Sequence, residues 1–160
     1  MGRVLAIEDL LATLAPLRAA GRSVAFANGH FDLLHVGHLR YLQGAKAEAD
    51  LLVVGVNSDA SVAHHKGRGR PIHPAAERAE LLAALAPVDF VVVFDAETPE
   101  QLLRVLQPEV HCKGPDYGSP EGVPEYAIVA AYGGRTVLVG DPKDHSTTDV
   151  IGRVRSLPED

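Results

Sequence analysis

Every residue of Leu51–Val56 is aliphatic except Gly55. A strand wetted on one side alternates apolar with polar residues, so an unbroken run suits a strand covered on both faces. Such a strand needs helices above and below it, and the flanking sequence offers them. Upstream, Val36, Leu39, Leu42 and Ala45 or Ala49 mark one face of a helix over residues 36–49. Before that, Ser23–Ala27 reads as a short buried strand. It is preceded by helical spacing at Ile7, Leu10, Leu11, Leu14 and Leu17, with Gly21 as a natural stop. Downstream the pattern continues: helix Pro74–Ala86, strand Phe90–Phe94, then helix Thr98–Leu106 with Thr98 as its cap and Pro99 in its first turn. Strand Val110–Lys113, helix Glu121–Tyr132, strand Arg135–Val139 and a last helix from Ser146 or Thr147 to about Arg155 complete it. This alternation predicts an α/β fold, a Rossmann-like, doubly wound parallel sheet of five strands with helices on both faces.

A length of 160 residues predicts a single domain over residues 1–160, with an N-terminal helix in 1–21 and the core in 23–155. No linker interrupts it, and the Gly- and Pro-rich Pro115–Pro124 reads as a surface loop. No apolar run is long enough for a bilayer, no signal peptide opens the chain, and a single cysteine, Cys112, fits a reducing compartment. The expectation is a cytoplasmic protein. A net charge of −6 argues against nucleic acid and acidic membranes as partners. Anionic ligands must therefore meet a local concentration of donors. Between Ala60 and Ala76 there is no acidic residue, but there are His64, His65, Lys66, Arg68, Arg70 and His73, with Gly67 and Gly69 among them. This stretch reads as a basic loop able to bring backbone N–H groups close to an anion.

Four clusters, Asn28–Asp32, Asn57–Asp59, Lys113–Tyr117 and Asp141–Thr148, fall just after expected strands, where open parallel sheets bind their ligands. His35 and His38 stand three residues apart at a helix start and face the same side, with Gly37 leaving room between them. The free N–H groups of a helix N-terminus cradle phosphate, and two imidazoles add donors there. Zinc is the competing reading of a histidine pair, but no third ligand is suitably placed. Cys112 reads as a small core residue.

The run Asn28-Gly29-His30-Phe31-Asp32-Leu33-Leu34-His35-Val36-Gly37-His38 resembles the G-x-F-D-x-x-H-x-G-H signature of the cytidylyltransferase-like nucleotidyltransferases. Val56-Asn57-Ser58-Asp59-Ala60-Ser61-Val62, Lys66-Gly67, Arg70-Pro71-Ile72, Glu77-Arg78, Lys113-Gly114-Pro115-Asp116-Tyr117 and Ser146-Thr147-Thr148 look like the bacterial heptose 1-phosphate adenylyltransferases in particular. The resemblance runs from about Ser23 to Val154. It implies transfer of the adenylyl group of ATP to D-glycero-β-D-manno-heptose 1-phosphate, giving ADP-heptose and pyrophosphate, and a homodimer is common among such relatives.

On this resemblance His35, His38 and Lys66 are the catalytic residues: the histidines hold the triphosphate and stabilise charge on the transferring phosphoryl group, and Lys66 neutralises phosphate oxygens of the triphosphate or the acceptor. Asn28, Gly29, Phe31, Asp32, Gly37, Lys113, Ser146, Thr147 and Thr148 would bind the nucleotide, and Asn57, Asp59, Arg70 and Asp116 the sugar phosphate. Mg²⁺ would accompany ATP, bridging phosphate oxygens. Asp32 either helps to hold that ion or fixes its loop; Asn57 and Asp59 either line the acceptor or cap the next turn. Arg78 is either a phosphate contact or a surface ion-pair residue. The chain departs from the pattern at Pro115, where relatives have glycine, and at His30, a variable position usually smaller or apolar. Glycerol 3-phosphate cytidylyltransferases, and a nucleotide-binding sensor without catalysis, are the competing functions.

Overall fold

The structure, a computed structural model, describes residues 1–142 and 145–158. Lys143 and Asp144 of the Asp141–Thr148 cluster lie outside the described residues, as do Glu159 and Asp160. In chain order the elements are β1 (Arg3–Val4), α1 (Ile7–Ala19), β2 (Val24–Gly29), α2 (Val36–Ala47), β3 (Leu51–Asn57), α3 (Asp59–Lys66) and α4 (Ala75–Ala83). Then come β4 (Phe90–Phe94), α5 (Glu100–Leu106), β5 (Val110–Lys113), two 3₁₀ turns at Pro115–Tyr117 and Pro120–Gly122, α6 (Tyr126–Ala131), β6 (Arg135–Leu138) and α7 (Thr147–Arg155).

The sheet is parallel throughout, in the order β1-β4-β3-β2-β5-β6. It has six strands rather than the expected five. The extra strand, β1, is two exposed residues long and has no periodicity to read. Alternate residues of β2 and β3 enter opposite cores. Ala25, Ala27, Leu52, Val54 and Val56 pack with Leu42 and Ala45 of α2 and Ala79 and Leu82 of α4. Val24, Phe26, Leu51 and Val53 pack with Leu10 and Leu14 of α1 and Leu102, Leu103 and Leu106 of α5. The break in the aliphatic run has a steric cause: a Cβ on Gly55 would lie 2.7 Å from Phe26 Cζ.

Other boundaries moved for local reasons. The expected basic loop begins as a helix, because the Ser58 side chain accepts from Ser61 N–H and starts α3; His64, His65 and Lys66 form its last turn. The helix expected over 121–132 shrinks to α6, since Pro124 has no N–H to continue the preceding turn. Thr98 does not cap α5, whose N-cap is Pro99 without a side-chain bond. Cys112 is buried in the core as expected, and burial pushes its thiol up to about 12.

Strand order reverses between β2 and β5. The chain walks from β2 to β3 and β4 on one side, then crosses to β5 and β6 on the other. The loops leaving β2 and β5 therefore splay apart at their carboxyl ends and open a crevice.

Candidate active site

A cleft of about 420 Å³ occupies that crevice. Asn28 at the end of β2 and Lys113 at the end of β5 form its floor, and the basic stretch and the start of α7 form its walls.

The start of α2 is left open. His35 is its N-cap residue, yet no side chain caps the helix, so the first amides retain their capacity for an anion. The rings of His35 and His38 stack with centroids 3.8 Å apart. Both Nδ1 atoms are buried without a hydrogen-bond partner among the described residues. Burial, then the neighbouring His35, pushes His38 down to about 4. Burial and His145 lower His35 as well, against the opposing pull of Asp149. Both shifts favour the neutral imidazoles, and an anion beside them would oppose the shifts. A Cβ on Gly37 would stand 3.0 Å from His35 Nδ1 and 3.3 Å from His145 Cβ, so this position must stay bare.

Phe31 turns the chain out of the sheet toward this helix. Its φ of 48° lies in the left-handed region, costly for a bulky residue. The return is a buried ring set edge-on to His38, centroids 5.2 Å apart.

The basic wall is fastened by two buried groups. Asp32 accepts from Arg70 Nε at 2.6 Å, Ile72 N–H at 2.7 Å and His73 N–H at 3.0 Å. Burial alone would raise its pKa, but the hydrogen bonds from His73, Arg70 and Ile72 together outweigh that and hold it below the usual carboxylate range. Arg78 is neither a surface residue nor a phosphate contact: its side chain is wholly buried and absent from the cleft wall. It donates to the His73 carbonyl at 2.9 Å, the His30 carbonyl at 2.5 Å and Asp59 Oδ1 at 2.7 Å. One guanidinium thus ties the β2–α2 loop, the basic loop and α3 together. Its planar fork reaches three acceptors that an ammonium could not span.

Lys66 and Arg70 line the cleft, and so does His30, whose Nε2 lies 3.2 Å from His65 Nδ1. On the floor, Lys113 is buried beside Glu125, Nζ to Oε2 3.5 Å. Burial lowers Lys113, while Glu125 works against the shift. Pro115 opens a 3₁₀ turn that brings Asp116 and Tyr117 to the rim. Ser146 caps α7, accepting from Asp149 N–H at 3.1 Å, and Thr147 Oγ1 donates to the Leu33 carbonyl at 3.4 Å.

Sequence comparison then decides the family. A cytidylyltransferase-like family model matches residues 26–153. The chain belongs to the cytidylyltransferase-like family. It is similar to the bifunctional protein HldE of Geotalea uraniireducens, 50% identical over 150 residues, which is 94% of this chain and 30% of that protein. The HldE of Pseudomonas aeruginosa PAO1 is 47% identical over 152 residues, 95% of this chain and 32% of that protein. The chain therefore spans about a third of the length of these curated relatives. Among solved structures, the lipopolysaccharide core biosynthesis protein of Thermoplasma volcanium matches with TM-score 0.65 and 27% identity over 77% of this chain and all of that one. Pantothenate synthetase of Thermus thermophilus shares the fold, with TM-score 0.66 and 18% identity over 94% of this chain and 67% of that one.

Within this family frame, the expected residues sort clearly. Asn28, Phe31, Asp32, His35, Gly37, His38, Lys66, Arg70, Lys113, Asp116, Ser146, Thr147 and Thr148 all line the one cleft. Gly29 lies just behind it, where a Cβ would stand 3.1 Å from the Phe31 ring. Asn57 and Asp59 lie outside it. Asn57 donates to Ser61 Oγ and the Ala96 carbonyl, and Asp59 accepts from Ala75 N–H and Arg78. Sequence reasoning missed Tyr41, whose hydroxyl donates to the Cys112 carbonyl at the cleft wall, and His145. A histidine directly before Ser-Thr-Thr at a helix start was the available signal for the second. The described residues offer no group of three His, Cys, Asp or Glu side chains able to hold a metal. Asp32 spends both oxygens on the basic loop, which favours the loop-fixing role. A Mg²⁺ ion arriving with ATP would therefore take its ligands mainly from phosphate oxygens and water.

Proposed function

We propose that this chain is an adenylyltransferase that joins ATP to a sugar 1-phosphate, D-glycero-β-D-manno-heptose 1-phosphate, releasing pyrophosphate and forming ADP-heptose. The observation that carries the reading is the stacked His35–His38 pair at the uncapped start of α2, sharing one cleft with Lys66, Arg70 and Lys113. A phosphate oxygen of the acceptor attacks the α-phosphorus of ATP. The new P–O bond forms as the bond to the β-phosphate oxygen breaks, and pyrophosphate carries away the electron pair. The nucleophile is already ionised near neutral pH, so no general base is needed. Catalysis rests on aligning two anions and on donors that meet the charge building on the transferring group. His35 and His38 supply those donors, Lys66 and Arg70 receive the acceptor's phosphate, and the start of α7 holds the departing phosphates.

The choice of a heptose phosphate is supported by the motifs Asn57–Val62 and Arg70-Pro71-Ile72, by the likeness to HldE proteins and by the lipopolysaccharide protein of Thermoplasma volcanium. The test is pyrophosphate release with ATP, CTP, GTP and UTP against heptose 1-phosphate, glycerol 3-phosphate and FMN. Turnover with ATP and heptose 1-phosphate alone is expected. Turnover with another pair would keep the chemistry and replace the acceptor, and silence with every pair would reject the enzyme.

A further inference from the structure

We infer that His145 is a third phosphate-contacting imidazole of this site, acting beside His35 on the triphosphate of the nucleotide. The inference rests on the nucleotide reading given above.

Two helix starts converge on the same space, that of α2 and that of α7, and His145 is wedged between them. It immediately precedes Ser146, the N-cap of α7. Its Cβ lies 3.3 Å from the point where a side chain on Gly37, in the first turn of α2, would begin. Its ring centroid is 6.5 Å from that of His35, tilted by 44°. Both rings line the cleft, so a bound group can touch them together. That separation leaves room for one phosphoryl oxygen to accept from each ring. The two are already coupled electrostatically, since His145 is among the causes that lower His35.

The surroundings leave an anion as the natural occupant. Of the acidic side chains on the cleft wall, Asp32 is committed to Arg70 and Asp141 to Arg40, and Asp116 stands at the rim beside Tyr117. Asp149 on α7, outside the lining, accepts from Ser146 Oγ at 2.6 Å. The engagement of Asp32, Asp141 and Asp149 limits their repulsion of an incoming phosphate. An imidazole between two positive helix ends gains most when it donates to an anion, because the helix amides cannot accept. The adenosine end of the ligand has no comparable need for a third imidazole.

The experiment is a calorimetric titration of ATP and, separately, of adenosine into the full chain and its His145→Ala and His145→Gln variants. With one charge-assisted hydrogen bond lost, His145→Ala should weaken ATP roughly tenfold and leave adenosine within about twofold. His145→Gln keeps an N–H donor and should recover part of the ATP affinity. ATP affinity within twofold in His145→Ala overturns the inference. So does an equal loss for ATP and adenosine, which would make His145 a packing residue. Failure of the unsubstituted chain to bind ATP would instead reject the nucleotide reading itself, and the inference with it.

Discussion

The two walls of the cleft are built in different ways. The β2–α2 wall and the basic loop behind it are tied by buried charges: Arg78 holds three partners on separate segments, and Asp32 holds three partners on the basic loop. α7, which carries Ser146, Thr147 and Thr148, buries no residue at all, and Val154 is exposed along its outer face. One tie to the opposite wall is the hydrogen bond that Thr147 Oγ1 donates to the Leu33 carbonyl. Donors on the first wall are set when the chain folds, which is what transition-state stabilisation requires. Donors on α7 belong to a segment with little packing, the kind that opens locally at low cost. The first side is therefore the stiffer of the two.

The strongest way to break this contrast is Arg78→Met. It leaves the His30 and His73 carbonyls without their donor and removes a partner of the half-exposed Asp59, and a loss of about 2–4 kcal/mol is expected, read from the urea midpoint. Arg153→Ala on α7 should stay within about 0.5 kcal/mol. If the two substitutions cost the same, the first wall is not the stiff one. Next comes His38→Ala or His35→Ala, expected to lower turnover by roughly 10² or more with the fold intact. A drop of less than about threefold would remove that residue from the catalytic set.

Acid should loosen the sheet side of the molecule before any denaturant is added. Burial lowers His30 and His38 to about 4 and His111 to about 3. Above pH 6.5 neither the folded nor the unfolded chain holds these protons, and their contribution to stability is fully present. As pH falls from 6.5 toward 4, the unfolded chain takes up protons that the folded chain refuses, so stability declines. His111→Gln, away from the cleft, should flatten that decline by up to about 1.4 kcal/mol per pH unit, measured by urea melts at several pH values. An unchanged slope would mean that His111 is protonated in the folded chain. A local effect is expected from Ser146→Ala. Loss of the cap should cost about 1 kcal/mol, visible as faster hydrogen exchange in α7 while the global midpoint stays put.

Much of this was legible in the sequence where the signal is local. The unbroken Leu51–Val56 gave a doubly covered strand, and three of the four clusters after the strands converge on one cleft as their placement implied, while Asn57–Asp59 stays outside it. β1 was not legible, because two exposed residues carry no pattern. α3 was hidden in a cationic run, although Ser58 followed by Asp59 is an ordinary helix opening. Arg78 lay beyond reach for another reason. Its acceptors at positions 30, 59 and 73 are brought together only by the tertiary fold, and beside Glu77 and Glu80 it reads like any surface arginine.

Phe31 carries a consequence for how this site tolerates change. Its backbone suits glycine, while its ring is what fills the space against His38. Glycine would relax the chain and leave a hole; alanine would leave a hole and relax nothing; a β-branched residue would add strain of its own. The position is a compromise with few neighbours in sequence space. In a library randomised there, aromatic residues should dominate the survivors, so the route to new specificity runs through the exposed walls of the cleft rather than through its hinge.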